Sequence, residues 1–430
     1  MEKLRRDAAP VIHFLRRRGP VWRWLGVDDP RGRRGRRFPL AAMLNATVLA
    51  IMAGARSIRT AVGNAERFGS LARRVGAVCR CGRTAIGDLL PRLDPAQLRD
   101  ALIRFVRGEW YRKTLRPDRL PIGLVAIDGK ALWSASKCFH PESQDQSAKG
   151  SDKKYPGHRT WVLRVLRAAL VSTASCVVID QQVIPAATNE MGFFGVFFGA
   201  LMKAYGRLGM IQAVSVDAGM VSRANADTVR KAGLHDIFRL KSPQVELLRE
   251  ATRLLEPLAT TTRPEAVTPW ESDSARGRVR RQLWRTTEMA GWNDWRHLSQ
   301  TWLVRTQRRD AGGKALPAED SYYVTSLGSY RLEPMQILDA VRDHWGVENN
   351  AHGTADIVFD EDHSPCSKTG AGIHSASLLR LLAINLCQLY RHRRHGGADR
   401  TRTAWQLLLS DIFFALRLPA SSLPPAPPPG

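Results

Sequence analysis

Three acidic residues carry most of the chemical potential of this chain. Asp128 ends the run Leu124-Val125-Ala126-Ile127, Asp217 ends Ile211-Gln212-Ala213-Val214-Ser215-Val216, and Glu348 lies in the segment HWGVENNAHGTAD. The first two close short apolar runs of strand type, and the third falls on a predicted helix far downstream. Carboxylates are hard oxygen ligands for divalent cations. Two such ions about 3.5–4 Å apart can activate a water and stabilise the leaving oxygen of a phosphodiester. A single Asp after a strand is commonly a turn-former or a helix cap. Two at matched strand ends shift the balance toward a metal-dependent enzyme that cuts or joins DNA.

Composition supports a polyanionic partner. The 430 residues include 65 Lys plus Arg against 40 Asp plus Glu, a formal net charge of +25. Such a field attracts nucleic acid, and displaced counterions supply much of the resulting affinity. The length predicts two or three domains. Six scattered Cys are too sparse for a disulfide framework and suit a reduced, cytoplasmic protein associated with the bacterial nucleoid. Cys79-Arg80-Cys81 and Cys138-Phe139-His140 lack the spacing of a zinc site. The most apolar stretch, Leu40 to Ala55, is interrupted by Asn45, Thr47 and Gly54 and reads as a buried helix. No membrane association is expected.

The elements that must position the acids follow from periodicity. Residues 1–115 read as a helical N-terminal, DNA-binding region. Leu40, Met43, Leu44, Val48, Leu49 and Met52 recur at helical spacing, and Asp94-Pro95 opens another helix. Ahead of the first lies the basic cluster Arg31, Arg33, Arg34, Arg36 and Arg37, a candidate DNA-backbone contact. Residues 116–241 read as the first part of an α/β core. Leu124–Ile127 is a strand ended by Gly129, and runs at 162–171 and 176–184 form a hairpin. A helix over 189–207 follows, then a strand at 211–216, a helix over 222–232 and a strand at 237–240. That order fits an RNase H-like core, whose site gathers at the ends of adjacent central strands. Residues 242–332 read as a β-rich insertion, whose Arg276, Arg278, Arg280, Arg281 and Arg285 suit a DNA-facing surface. Residues 333–418 complete the core, with Pro334 starting a helix through Ile337, Leu338, Val341 and Trp345 toward Glu348. Residues 419–430 are a Pro-rich tail, expected to be disordered. Periodicity does not choose among Glu348, Asp356, Asp360, Glu361 and Asp362 as the third ligand.

Most of the chain resembles the DDE transposases of bacterial insertion sequences, in particular their H-repeat-associated branch. The segment around AIDGKAL is similar to that family's first-Asp block, and Thr188-Asn189-Glu190 to its Asn-Glu step. VSVDAGMVSRANADTVRKAG is similar to the second-Asp strand and helix. FRLKSPQ, ARGRVRRQLW, YYVTSL and VRDHWGVENNAHGTADIVFDEDHS follow in the family's order. The resemblance implies that Glu348 joins Asp128 and Asp217 as catalytic residues and as ligands of two Mg²⁺ ions, with Mn²⁺ as a substitute. It also implies that Lys130, Arg342, His344, Asn349 and His352 either hold the metal-binding acids in place or contact DNA. The implied partners are the terminal inverted repeats of an element and a target DNA, bound by a homodimer. Trp133, Ala351, Gly353 and the LKSPQ run depart from the common pattern. They raise the alternative of a catalytically degenerate, transposase-derived DNA-binding protein.

Overall fold

The computed structural model describes residues 2–18, 24–77, 82–146, 159–273, 277–364, 366–367, 369–394 and 404–419, with side chains from Ala8 onward. Cys79-Arg80-Cys81, Arg276 and the Pro-rich run from residue 420 lie outside them.

Helices dominate the first hundred residues: α1 (Glu2–Arg18), α2 (Leu40–Met52), α3 (Ile58–Glu66), α4 (Ser70–Arg74), α5 (Arg83–Leu89) and α6 (Pro95–Tyr111). α2 is apolar on nearly every side, and ten of its residues are buried. Such a helix is stable only when other elements surround it. α6 starts where Asp94 accepts a hydrogen bond from the backbone N–H of Ala96 and Pro95 occupies the first turn. Its Arg99 forks onto the buried Asp180 through two 2.6 Å hydrogen bonds, tying the helical region to the sheet.

The sheet begins with β1 (Leu124–Ala135), β2 (Gln144–Asp145), β3 (Trp161–Leu170) and β4 (Val177–Val183). Then come α7 (Glu190–Tyr205), β5 (Ala213–Val216), α8 (Arg223–Lys231), β6 (His235–Arg239) and α9 (Val245–Thr261). The strands β7 (Ala266–Val267), β8 (Glu271–Ser272), β9 (Arg278–Thr286), β10 (Gln300–Arg309) and β11 (Glu319–Thr325) follow, and α10 (Pro334–His344), α11 (Gly370–Arg394) and α12 (Trp405–Arg417) complete the chain. Among the described residues the strand order is β2-β3-β1-β5-β6-β11-β10-β9-β7, with β4 on β3 and β8 on β9. β1, β5 and β6 run parallel, and β3 and β11 flank them antiparallel. This is a mixed α/β fold of the RNase H-like kind, with a helical N-terminal region.

The central strands are apolar because both faces are covered. All four residues of β5 are buried, as are Leu124–Ile127 of β1. α7 covers one face with Phe193, Phe194, Phe197, Phe198 and Leu201. Each of its Phe side chains is worth about 1.5–3 kcal/mol by burial alone. α11 packs against α2, α6 and β4. It is long and apolar enough to cross a membrane, but 89% of its apolar window is buried inside the fold, as in a core helix.

Four sequence expectations are corrected here. Gly129 does not break β1, which continues to Ala135 paired with β3. Residues 242–332 contain a 17-residue helix, α9, as well as strands. Those strands prolong the core sheet, because β11 pairs directly with β6. The regular helix that starts at Pro334 stops at His344, and Glu348 lies on the following π-helical turn, Val347–His352.

Candidate active site

β1 and β5 pair in register, with Ile127 opposite Val216. The next residue on each strand is an acid, so Asp128 and Asp217 leave neighbouring strands at the same level. This parallel register sets side by side two residues far apart in sequence. Glu348 reaches the same region from its π-helical turn, which packs on β1 and β3. A π turn rotates the residues after it relative to a continuous α-helix, and such bulges are frequent at functional sites.

The carboxylates sense one another. Burial, together with the Glu348, Glu190 and Asp217 carboxylates, pushes the Asp128 carboxyl up to about 7. Burial and the nearby Asp217 carboxylate also raise Glu348. Burial opposes ionisation of Asp217 too, but Lys241 Nζ donates to its Oδ2 at 2.8 Å and holds it below its ordinary value. Gathering like charges in a half-buried pocket is unfavourable unless a cation compensates. The remaining oxygen, Asp217 Oδ1, is buried and has no hydrogen-bond partner of good geometry among the described residues. An orphaned buried carboxylate oxygen beside two further carboxylates is a donor set suited to a hard divalent ion.

Among the described residues, the trio of ligand atoms lying within 4.8 Å of one another belongs to Asp360, Asp362 and His363, not to these acids. That trio is largely exposed, and His363 Nδ1 is bonded to Asp362 at 2.8 Å. The ligand atoms of Asp128, Asp217 and Glu348 do not all lie within that distance of one another.

The other competing acids are otherwise engaged. Asp356 takes Lys130 Nζ at 2.6 Å through both of its oxygens. Glu361 is buried, receives Arg167 Nη2 at 2.7 Å and Ser377 Oγ at 2.8 Å, and lies 3.6 Å from Arg380. Burial alone would raise Glu361, but Arg167, Arg380 and Lys130 hold it down at about 2. Arg167 stands opposite Asp128 in the β1–β3 register, so this charge network braces the strand that carries the first acid.

Several residues expected to touch DNA are interior. Lys130, His344, His352 and Arg31 are each less than a tenth exposed. Arg31 forks onto Asp29 and donates to the Gly35 and Phe38 carbonyls, folding its own loop. His344 Nδ1 lies 2.9 Å from Ser215 Oγ, bracing β5 two residues before Asp217, and burial lowers its pKa to about 4. His352 Nδ1 lies 3.5 Å from Asp128 Oδ2. Burial, then Arg167 and Lys130, push its pKa well down, so it meets Asp128 as a neutral imidazole. Their burial leaves these side chains engaged inside the protein, with little surface to offer a phosphate. Arg33, Arg34, Arg36, Arg37 and Asn349 are exposed. Arg342 is half-buried and paired with Glu271 at 3.2 Å and Asp339 at 2.7 Å.

Strand alternation separates the Arg residues of β9. Arg280 stands opposite Gln307 and bonds to it, on the sheet face that also carries Arg278 and Arg309. Arg281 lies on the other face, with Arg308 and Arg239. Arg239 stacks over Trp345 at 5.1 Å, immediately before the π-helical turn, and its charge is felt at Asp217 and Glu348. Sequence reading missed Arg239, Lys241 and Glu190 as site residues. The signal for Lys241 was available, since it follows β6, the parallel neighbour of β5.

A comparison with curated proteins returns no match. The family model described as Transposase DDE domain matches residues 122–386, more than half of the chain. The match opens just before β1 and closes inside α11, so it spans all three acids and every strand between them. Family members are transposases with nuclease or transferase activity on DNA, typically with divalent metal. The chain belongs to the DDE transposase domain family.

Proposed function

We propose that this transposase cleaves the ends of an insertion sequence and joins them to target DNA in a Mg²⁺-dependent reaction, with Asp128, Asp217 and Glu348 as its catalytic carboxylates. The observation that carries this reading is that Asp128 and Asp217 follow opposed residues of two paired parallel strands, while Glu348, on a π-helical turn packed against β1 and β3, opposes ionisation of Asp128. The same carboxylates would hold two Mg²⁺ ions, or Mn²⁺ in their place. When bound, such ions activate the attacking oxygen and stabilise the departing 3′ oxygen of a phosphodiester.

The chain's own groups have distinct parts in this scheme. Asp128 must lose its proton to bind a cation, which its carboxyl near 7 permits at neutral pH. Lys241 neutralises Asp217 until a cation arrives and then has its ammonium available for a phosphate oxygen. His352 and Lys130 fix β1 from below, and Arg239 supplies positive potential beside the strand tips. The freed 3′ end can attack target DNA at the same site, so no covalent enzyme intermediate is required.

The exposed Arg33, Arg34, Arg36 and Arg37, with Arg278 and Arg280 on the outer sheet region, are proposed DNA-backbone contacts. Residues 1–115 would bind the terminal inverted repeats, and residues 242–332 would extend that surface from the core. Pairing two ends calls for a homodimer on DNA. The order of motifs supports placement in the H-repeat-associated branch.

Asp128→Asn tests the assignment. It should abolish Mg²⁺-dependent cleavage of end DNA while leaving DNA binding near that of the parent protein. Retained cleavage would remove Asp128 from the mechanism, and a parent protein that binds the ends without cutting them would favour the degenerate DNA-binding alternative.

A further inference from the structure

We propose that Glu190 is a fourth carboxylate of the metal site, completing the set formed by Asp128, Asp217 and Glu348. The inference rests on the metal-site reading above and deepens it.

Glu190 is the first residue of α7, and its carboxylate lies between the two strand tips. A Cβ built on Gly129, the residue after Asp128, would sit 2.0 Å from Glu190 Oε1 and 2.3 Å from its Cδ. A Cβ built on Gly219, two residues after Asp217, would lie 3.9 Å from Glu190 Oε2. The carboxylate therefore packs against the backbone beside Asp128 and lies near, without touching, the backbone after Asp217. Glycine inside a strand weakens it, and is kept where another group must approach closely. At Gly129 the approaching group is this carboxylate.

A purely structural role explains less. Arg164 Nη1 lies 3.3 Å from Glu190 Oε1, in a pair with both side chains about one-third exposed. An acid in the first turn of a helix is also favourable. Neither effect requires the carboxylate to pack against the backbone of Gly129. Glu190 adds a fourth carboxylate to this region, and among the described residues the cations paired with these acids are Lys241 on Asp217 and Arg164 on Glu190. The residual negative charge is what divalent ions would neutralise.

The test is direct binding of Mn²⁺ alone to the full-length protein, followed by the EPR signal of the free ion, with no DNA and no turnover. Glu190→Gln should weaken Mn²⁺ binding about tenfold or more while the protein still unfolds cooperatively. Arg164→Gln removes the ion pair but keeps the carboxylate, and should leave Mn²⁺ affinity equal to or tighter than that of the parent. If Glu190→Gln binds Mn²⁺ like the parent while Asp128→Asn is weakened, Glu190 is a structural partner of Arg164 and this inference fails alone. If neither variant is weakened, the metal-site reading itself fails. Should Glu190→Gln not fold, Gly129→Ala, which displaces the carboxylate without removing it, carries the same expectation, and unchanged Mn²⁺ affinity in that variant overturns the inference.

Discussion

Glu361 shows how a single acid can look like a ligand in sequence and be a brace in space. It lies in the acid-rich run after Glu348, yet it is 1% exposed and surrounded by Arg167, Arg380 and Lys130. Its folded pKa of about 2 lies below the ordinary glutamate value of 4.5. For a depressed carboxylate the stabilising contribution is complete above the unfolded pKa and is lost as pH falls through the folded one. The protein should therefore lose stability between about pH 4.5 and pH 2. Glu361→Gln leaves buried guanidinium groups uncompensated and should cost about 3–5 kcal/mol at neutral pH. Urea titrations across pH check both statements: the gap between parent and variant should narrow as pH drops below 4.5. A gap independent of pH would mean that the network does not depend on this charge. The run Asp356, Asp360, Glu361, Asp362 was visible in sequence, but which acid met a cationic side chain depended on β3 and α11, whose residues are far away.

At the scale of elements, boundaries set by apolar periodicity and capping were legible. Asn189 caps α7, its Oδ1 accepting from Gly192 N at 2.9 Å, and Ser222 caps α8 in the same way. Asn189→Ala should cost about 1 kcal/mol, read as a lower urea midpoint, and more if it also releases the turn holding Glu190. An unchanged midpoint would show that packing of the Phe face alone holds α7. The helix α9 was equally legible: Leu247, Ala251 and Leu255 recur every fourth residue and pack on β9, β10 and β11. It was obscured because the neighbouring strands suggested a uniformly β-rich stretch. The π-helical turn bearing Glu348 could not be read from periodicity, because π-helical backbone, which resumes at Thr354–Val358, does not keep the 3.6-residue apolar repeat. Its position is settled by packing on β1 and β3.

Over the whole molecule, the +25 charge sets how DNA is attracted but not where it lies. If Arg33, Arg34 and Arg37 each meet a phosphate, replacing all three with Ala should lower the slope of log affinity against log salt by about 3. Stability should change by no more than about 0.5 kcal/mol, since all three are exposed. Filter-binding titrations over a salt series would check this, and an unchanged slope would move the DNA path elsewhere. The order of apolar runs, the two acids at strand ends and the family resemblance were present in the linear chain, because they depend on local pattern. The pairing of the strands that carry Asp128 and Asp217, the packing of Glu190 on Gly129, the engagement of Asp217 by Lys241, and the burial of Arg31, His344 and His352 were decided by folding. They depend on which strands become neighbours, on the register between them and on which helix face is turned inward, and those are properties of pairs of distant segments.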